Sequence, residues 1–356
     1  WGQGQGCATE LLHMGNGASK GRKKDKKGSG RDRRLSVAGG QPGAPGEGGG
    51  GSSTDGMNEN GEKVIQATGI KLRYATLSQA GYEPDRVKKE NQDNYIVSLK
   101  EDPNHALFGV FDGHGSSGHM VSAFIVREFN KCIPMDLLQT DVNDVNPGIK
   151  LCEQTFAGVN AGLEKQRTVD ISLSGTTAVA ALLRGRYLIT SNLGDSRAVI
   201  AREETPGQLK AVPVTNDQKP ERPDEKRRIL KAGGRVEPLI DETGQPIGPA
   251  RVWLSNLMMP GLAMTRSFGD QVAESVGVHA IPEVFERVLD DKDRFLILGS
   301  DGVWEFISNE RAVAIVARCQ GDPVQACKDL VRESYEEWVR EEEVVDDITA
   351  IVCYFN

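Results

Sequence analysis

The sequence has few of the residues on which several kinds of protein depend. Its six cysteines among 356 residues form no Cys-x-x-Cys pair, so neither a zinc site nor a redox motif is indicated. No apolar run approaches the roughly 20 residues that cross a bilayer, and no signal-peptide core lies near the start. These absences predict a reduced, cytoplasmic protein that is not integral to a membrane.

Positive charge is scarce outside one short stretch. The net charge is −8, yet residues 20–34 carry +7, which leaves −15 on the rest of the chain. A face that binds nucleic acid needs clustered Lys and Arg, so the folded part is not expected to have nucleic acid as its partner.

Composition divides the chain into an arm and one domain. Residues 1–65 are rich in Gly, Ser and Lys, and we expect this basic arm to be disordered. Residues 66–356 alternate apolar runs with turn residues, as in a single domain. Strands at 177–183, 186–190 and 197–201 predict an antiparallel meander. Helical patterns cover 118–132, 148–165, 224–232, 310–319 and 324–340, so an α+β fold is expected.

Five aspartates stand at the ends of strand-like runs, and their distribution is the strongest functional signal. They are Asp93, Asp112, Asp195, Asp301 and Asp346. Carboxylates gathered at one place repel one another unless a hard cation neutralises them. The pattern therefore predicts a magnesium or manganese site, with the carbonyl of Gly113 as a further oxygen ligand.

Some of these segments have other interpretations. Gly113–Gly118 also spells the dinucleotide-binding fingerprint, although no second strand ends in an acidic residue at the required distance. Asp195 could be an ordinary turn residue bonded to its own backbone. His114 could be a buried histidine bonded to a carbonyl, but among carboxylates it is better placed to act as a general acid.

The chain resembles the type-2C, metal-dependent protein serine/threonine phosphatases, in particular their plant-like and protozoan members, over about residues 67–356. The segments that carry the resemblance are Glu90–Asn94, Val110–Gly115, Ser174–Ala178, Asn192–Arg197, Leu262–Asp270, Ser300–Trp304 and Asp346–Thr349.

The resemblance implies two packed antiparallel sheets flanked by helices, with two Mg²⁺ or Mn²⁺ ions at one edge. By carry-over, Asp112 would bridge both ions, Gly113 and Asp93 would serve one, and Asp301 and Asp346 the other. Asp195 matches a third, weaker metal position. Water activated by the ions would attack phosphorus, and His114 would protonate the departing oxygen.

The chain departs from the family pattern at three positions beside these ligands. The phosphate-binding arginine, five residues before Asp93, is Lys88, which lacks the planar fork of arginine. Arg86 could reach in instead. Gln92 replaces a common acidic residue and Asp347 a common asparagine, and both changes leave the metal carboxylates intact. Residues 217–261 match the family's flap beside the active site, where we expect substrate preference to be set.

The arm carries two targeting signals. Met14–Ser19 fits the N-myristoylation pattern, and the basic residues of Lys20–Lys27 supply the second signal that stable anchoring requires. Acylation of Gly15 requires Met14 to be the initiator, so that the thirteen preceding residues are upstream sequence. Ser36 follows Arg33-Arg34-Leu35, which resembles a site for basophilic kinases, and its phosphorylation would loosen the arm from anionic lipid.

These observations predict a monomeric phosphatase that acts on phosphoserine and phosphothreonine in protein substrates. One alternative is a catalytically silent binding module that keeps the fold. The other is a dinucleotide-binding oxidoreductase, whose nicotinamide binding would not be affected by a chelator.

Overall fold

The computed structural model describes residues 58–99, 102–131 and 141–356, and the statements below concern those ranges. Most of the arm, including Met14, Gly15, the basic residues of Lys20–Lys27 and Ser36, lies outside the described residues. No helix of the described ranges is both long and apolar enough to cross a bilayer.

The strands follow one another closely along the described chain. In chain order they are β1 (Asn58–Val64), β2 (Lys71–Gln79), β3 (Asn94–Ser98), β4 (His105–Phe111), β5 (Gly113–His114), β6 (Gly175–Thr176), β7 (Ala178–Arg184), β8 (Tyr187–Leu193), β9 (Arg197–Thr205), β10 (Gln208–Pro213), β11 (Arg235–Ile240), β12 (Pro246–Trp253), β13 (Pro260–Leu262), β14 (Phe268–Gly269), β15 (Glu283–Val288), β16 (Asp293–Gly299) and β17 (Ile348–Phe355).

The last helix begins where the capping rules predict. The Asp322 side chain accepts from the backbone N–H groups of Val324 and Gln325, and Pro323 opens that helix. The helices are α1 (Gly118–Phe129), α2 (Asn146–Leu163), α3 (Pro223–Lys231), α4 (Gln271–Glu274), α5 (Asp301–Trp304), α6 (Asn309–Ala317) and α7 (Pro323–Glu341). The five predicted helices are confirmed, with ends shifted by a few residues.

Two antiparallel sheets form the centre of the fold. One has the order β1-β2-β17-β16-β9-β10 and the other β15-β8-β7-β4-β3. Alternate side chains of each strand face different neighbours: on β9, Ala198 and Ile200 lie between the sheets, whereas Val199 and Ala201 face the helices. Because every strand of both sheets pairs antiparallel, the expected α+β sandwich is confirmed.

Helices cover the outer face of each sheet. Phe124 of α1 and Phe156 of α2 pack on the five-stranded sheet. Val313 of α6 and Leu330 of α7 pack on the six-stranded sheet. Each side chain of this size contributes about 1.5–3 kcal/mol when fully buried, so three apolar layers hold the strand ends in place.

The predicted three-stranded meander is only partly correct. β7 pairs with β8, but β9 pairs with β10 and β16 in the other sheet. The chain crosses between the sheets at Gly194, whose φ of 102° favours glycine, and the crossing segment carries Asp195. Local sequence predicts a turn here but not which sheet the next strand joins.

The predicted boundary of the arm is also wrong at its end. β1 pairs residue for residue with β2, from Asn58 opposite Leu77 to Val64 opposite Lys71. Residues 58–65 are therefore ordered, whereas they were expected to belong to the disordered arm. Backbone hydrogen bonds to an edge strand do not require an apolar pattern, which is why composition did not reveal this strand.

Two small sheets complete the described fold. β11, β12 and β13 form the flap sheet, which packs with α3 around Ile229, Val252 and Leu262. β14, β6 and β5 form a second small sheet, in which His114 pairs with Gly175, and Gly269 pairs with Gly175 from the other side. This second sheet brings segments that are more than 150 residues apart into register.

Candidate active site

Asp112 lies directly after β4, at the centre of the predicted metal site. Its backbone is held by Thr177, whose N–H donates to the Asp112 carbonyl at 2.9 Å and whose Oγ1 accepts from the Asp112 N–H at 3.1 Å. Burial raises the pKa of the Asp112 carboxyl well above its usual value. The charges of Asp301, Asp93, Asp346 and Asp195 raise it further. The four other predicted carboxylates are thus near enough for their charges to act on Asp112, and we call the five the carboxylate cluster.

Asp93 is fully buried just before β3. Its Oδ2 accepts from Ser300 Oγ at 2.8 Å, which ties the start of β3 to the end of β16. Burial and the charge of Asp347 raise the pKa of Asp93 to about 7, although hydrogen bonds from Thr349 and Ser300 lower it.

Asp301 and Asp346 enter the cluster from neighbouring strands. Asp301 opens α5 after β16, and Asp346 lies just before β17. Burial raises the pKa of Asp301 well above its usual value, and the charge of Asp346 is the next cause. The antiparallel pairing of β16 with β17 is what places these two ends side by side.

Asp195 lies on the segment that crosses between the sheets. It is only 2% exposed, and Nζ of Lys219 lies 3.7 Å from its Oδ2. Its Oδ1 is buried without a hydrogen-bond partner among the described residues. An unpaired buried oxygen of this kind is suited to bind a cation. The carboxylate also accepts a hydrogen bond from the backbone of Asp195 itself, as the turn interpretation predicts, so both interpretations stay open.

Gly113 occupies a position that a larger residue cannot fill. A Cβ there would lie 2.5 Å from the Gly118 carbonyl oxygen and 2.6 Å from the Gln92 carbonyl oxygen, both backbone atoms. The backbone of Gly113 is thereby pressed against the loop that leads to Asp93, as a carbonyl ligand would require.

The donor set fits hard divalent cations. All the side-chain donors are carboxylate oxygens, and their mutual repulsion is what a cation would relieve. In the described ranges, no three cluster members bring oxygens within 4.8 Å of one another. An ion placed among them would therefore be held partly through water, which Mg²⁺ commonly retains.

A tighter acidic group lies elsewhere and is already neutralised. Oxygens of Asp224, Glu225 and Glu283 lie within 4.8 Å of one another. Arg222 and Arg266 bind this group, with contacts of 2.7 Å to Asp224 and 2.6 Å to Glu225. These side chains form an ion-pair network that joins α3 of the flap to β15, and the arginines supply the positive charge that a metal would bring.

His114 lies beside the cluster on β5. Its Nε2 lies 2.7 Å from Oδ2 of Asp270, and its side chain is 21% exposed. Burial lowers the pKa of His114, but the charge and hydrogen bond of Asp270 outweigh this effect and raise it above its usual value. At neutral pH this favours the protonated ring that a general acid needs.

The basic residues before Asp93 differ in exposure and contacts. Lys88 and Arg86 are exposed, and Lys88 pairs through its backbone with Tyr82. Lys89 instead reaches the cluster, with Nζ 2.7 Å from Asp346 Oδ1. Side chains of consecutive residues in an extended segment point to opposite sides. Lys88 and Lys89 therefore face different ways, and Lys89 faces the cluster.

Asp347 has a structural role that the sequence did not reveal. Its two carboxylate oxygens accept from the backbone N–H groups of Gly81 at 2.8 Å and Gln92 at 2.9 Å. The Gln92 side chain in turn donates to the Gly115 carbonyl at 2.8 Å. Gln92 and Asp347, which both depart from the family pattern, therefore stabilise the loop that carries Asp93.

The sequence did not predict a role in the site for three residues that lie in or beside it: Asp270, Lys89 and Lys219. Asp270 closes the segment Leu262–Asp270, which was matched to the family as a block. Its partner is 156 positions away, so no local signal connected the two.

The dinucleotide interpretation is wrong. β4 has neighbours β3 and β7, and both pairings are antiparallel, whereas the fingerprint requires a parallel strand after the helix. The glycines of Gly113–Gly118 instead allow a close approach between the loop and α1.

Comparisons with known proteins agree with this geometry. The family profile described as Protein phosphatase 2C matches residues 81–342. "Probable protein phosphatase 2C 35" of Arabidopsis thaliana is 36% identical over 304 residues, which cover 81% of this chain and 85% of that protein. "Probable protein phosphatase 2C 64" of Oryza sativa subsp. japonica is 38% identical over 295 residues, covering 80% of this chain and 66% of that protein.

Solved structures share the fold. The serine-threonine phosphatase 2C from Toxoplasma gondii superposes with a TM-score of 0.68 at 22% identity, covering 84% of this chain and 99% of that one. The S. agalactiae serine/threonine phosphatase gives a TM-score of 0.55 at 18% identity, covering 80% of this chain and 99% of that one. At these identities the likeness concerns the fold alone.

Proposed function

This chain belongs to the protein phosphatase 2C family, and on that premise we propose that its carboxylate cluster holds two Mg²⁺ or Mn²⁺ ions and a third, weaker one. The protein is a metal-dependent protein serine/threonine phosphatase, and its substrates are phosphoproteins. Nothing found supports a silent binding module or an oxidoreductase.

The proposed ligands follow from the position of each carboxylate. Asp112, repelled by all four other members of the cluster, would contact both ions. Gly113 and Asp93 would hold one ion, Asp301 and Asp346 the other, and Asp195 the third. Divalent ions bound there supply a water of lowered pKa as the nucleophile and neutralise phosphoryl charge. The observation that carries the proposal is the set of buried carboxylates whose charges raise the pKa values of Asp112 and Asp301.

The number of ions can be tested by calorimetric titration of Mn²⁺ into chelator-stripped protein. We expect two tight sites and a weaker third, and phosphatase activity on a phosphothreonine peptide that chelator removes. Asp195→Asn should lose only the weak site, because Asp195 lies at the edge of the cluster beside Lys219. A single tight site in the wild-type protein, or activity that survives chelation, would contradict the proposal.

His114 is proposed as the general acid that protonates the departing serine or threonine oxygen. The raised pKa of its ring, caused by Asp270, supports this role. Lys88 as the phosphate ligand stays a prediction, and the contact of Lys89 with Asp346 makes Lys89 a second candidate. Burial lowers the pKa of Lys89, yet Asp346 and Asp347 raise it overall, so Lys89 is a charged ammonium at the cluster.

We expect Lys89→Met to weaken phosphate binding and Lys88→Met to leave it unchanged. A hydrogen bond to a charged group contributes about 1.5–3 kcal/mol, so KM for a phosphothreonine peptide should rise about ten- to a hundredfold in Lys89→Met. Inorganic phosphate should inhibit that variant correspondingly less. A larger effect in Lys88→Met would restore the original assignment.

We also propose that Gly15 is acylated and that the adjacent basic residues bind anionic lipid, which would place a cytoplasmic monomer at the membrane surface. This proposal depends on sequence alone. Mass spectrometry of the mature N-terminus would decide it, because a chain that begins before Met14 cannot be acylated at Gly15.

A further inference from the structure

We propose that Asp270 is a positioning residue that fixes the His114 ring for proton transfer, so that the two side chains act as one unit. The inference rests on the proposed role of His114 as general acid. Asp270 Oδ2 lies 2.7 Å from His114 Nε2 and also accepts from Ser267 Oγ at 2.5 Å.

The contact fixes which ring nitrogen carries which proton. An ionised aspartate only accepts hydrogen bonds, so Nε2 carries its proton toward Asp270. The other nitrogen, Nδ1, is buried and has no hydrogen-bond partner among the described residues. With Nε2 held by Asp270, Nδ1 is the ring nitrogen left to exchange a proton. Because Nδ1 is covered in this structure, the covering atoms must move aside for a substrate oxygen to reach it. A buried carboxylate orients a catalytic histidine in the same way in other hydrolases.

A purely structural reason for Asp270 is weak. Asp270 occupies the N-cap position of α4, where an aspartate would ordinarily accept from the first backbone N–H groups. Its side chain makes no capping hydrogen bond. It is 1% exposed and points instead to His114 and Ser267, so its burial stabilises the ring contact rather than the helix end.

The surrounding backbone is shaped around this pair. β6 lies between β5 and β14, so Gly175 separates the strand that carries His114 from the strand that leads to Asp270. A Cβ on Gly175 would lie 2.3 Å from Asp270 Oδ2 and 2.8 Å from His114 Nε2. The small sheet thus leaves room for the contact only because this residue is glycine.

The backbone of Asp270 is itself in a costly conformation. Its φ is 54°, in the left-handed region that favours glycine. The conformation is held by the Asp270 N–H, which donates to the Ser174 carbonyl at 3.0 Å. Strain of this kind is retained where the surrounding structure requires one particular side-chain direction.

In the proposed step the proton moves from Nδ1 of the protonated ring to the ester oxygen of the substrate. The N–H bond breaks and its electron pair stays on Nδ1. An O–H bond forms on the serine or threonine oxygen while its bond to phosphorus breaks. Nε2 keeps its proton and its contact with Asp270 throughout.

The test compares two substrates whose leaving groups differ. A phosphothreonine peptide needs protonation of a poor leaving group, whereas p-nitrophenyl phosphate does not. General acids contribute about 10²–10⁴-fold, so Asp270→Asn should lower kcat on the peptide about a hundredfold with KM unchanged. Its kcat on p-nitrophenyl phosphate should fall less than about threefold, since that product leaves as a stable anion.

Further variants separate positioning from general damage. In a His114→Asn background, Asp270→Asn should cause no additional loss, because the pair acts as a unit. Ser267→Ala, which removes one contact to Asp270, should show a smaller loss with the same substrate dependence. Glu274→Gln, on the same short helix, should behave like wild type. Mn²⁺ affinity by calorimetry should be the same in wild type and in all of these variants.

The outcomes distinguish the inference from its premise. Equal losses on both substrates in Asp270→Asn, or losses that add to those of His114→Asn, would overturn the positioning role. Equal losses on both substrates in His114→Asn itself would overturn the general-acid role instead.

Discussion

Asp112→Asn is expected to abolish phosphatase activity while making the metal-free protein more stable. Loss of the central ligand should lower kcat/KM at least about a thousandfold, which corresponds to about 4 kcal/mol in the barrier. The stability gain arises because burial and four neighbouring carboxylates raise the Asp112 pKa, so its ionised form destabilises the folded state. A relief of about 1 kcal/mol would raise Tm by about 2–4 °C.

The pH dependence of this gain has a definite sign. The raised pKa means that the folded wild-type protein loses stability, relative to the variant, as pH rises above the unfolded-state value of about 3.9. Below that value Asp112 is protonated in both states and the gap should close. Thermal melts of the metal-free wild-type and Asp112→Asn proteins between about pH 4 and 7 measure this difference in stability.

Added Mn²⁺ should reverse the order of stability, because only the wild-type protein gains from binding. Asp291→Asn, in an exposed turn, serves as the control and should change neither activity nor Tm. A metal-free Asp112→Asn protein that melts below wild type would show that the cluster is not under electrostatic strain.

Gly302→Ala is expected to disable the site without changing any proposed ligand. Gly302 follows Asp301 in α5, and a Cβ there would lie 2.0 Å from the carbonyl oxygen of Asp347. The clash is between backbone segments, so Asp301 and Asp346 must move apart. Overpacking typically costs about 1–3 kcal/mol, and displaced ligand supports cost about 10–100-fold in metal affinity.

Gly158→Ala is the matched control, because Gly158 also lies in a helix but a Cβ there meets nothing within 4 Å. That variant should gain up to about 1 kcal/mol from reduced chain entropy and helix propensity. Calorimetric Mn²⁺ titration measures the metal affinity of the two variants, and Tm measures their stability. A Gly302→Ala protein with wild-type metal affinity would mean that α5 can shift freely.

Much of the site could be predicted from sequence because its signals are local. Asp93, Asp112, Asp301 and Asp346 each stand at the end of an apolar run, and strand ends meet at sheet edges. Helices α6 and α7 carry cap residues next to periodic apolar positions, so their bounds could be predicted within a few residues.

The local signals failed where a choice depended on distant partners. β9 has the same alternating pattern whichever sheet it joins, and only its pairing with β16 decides. β1 has almost no apolar pattern and is ordered by the edge of β2. Lys88 and Lys89 are chemically alike, and the direction of the extended segment brings Lys89 to Asp346.

The sequence by itself determined the kinds of elements, and residue type and spacing along the chain were enough to predict the proposed carboxylate ligands and the proposed acid His114. Tertiary structure alone decided that Asp270 meets His114 across 156 positions and that Asp347 fastens the loop of Asp93. Such contacts depend on how strands of separate segments pair, and that pairing is fixed by packing of the whole fold rather than by neighbours in sequence.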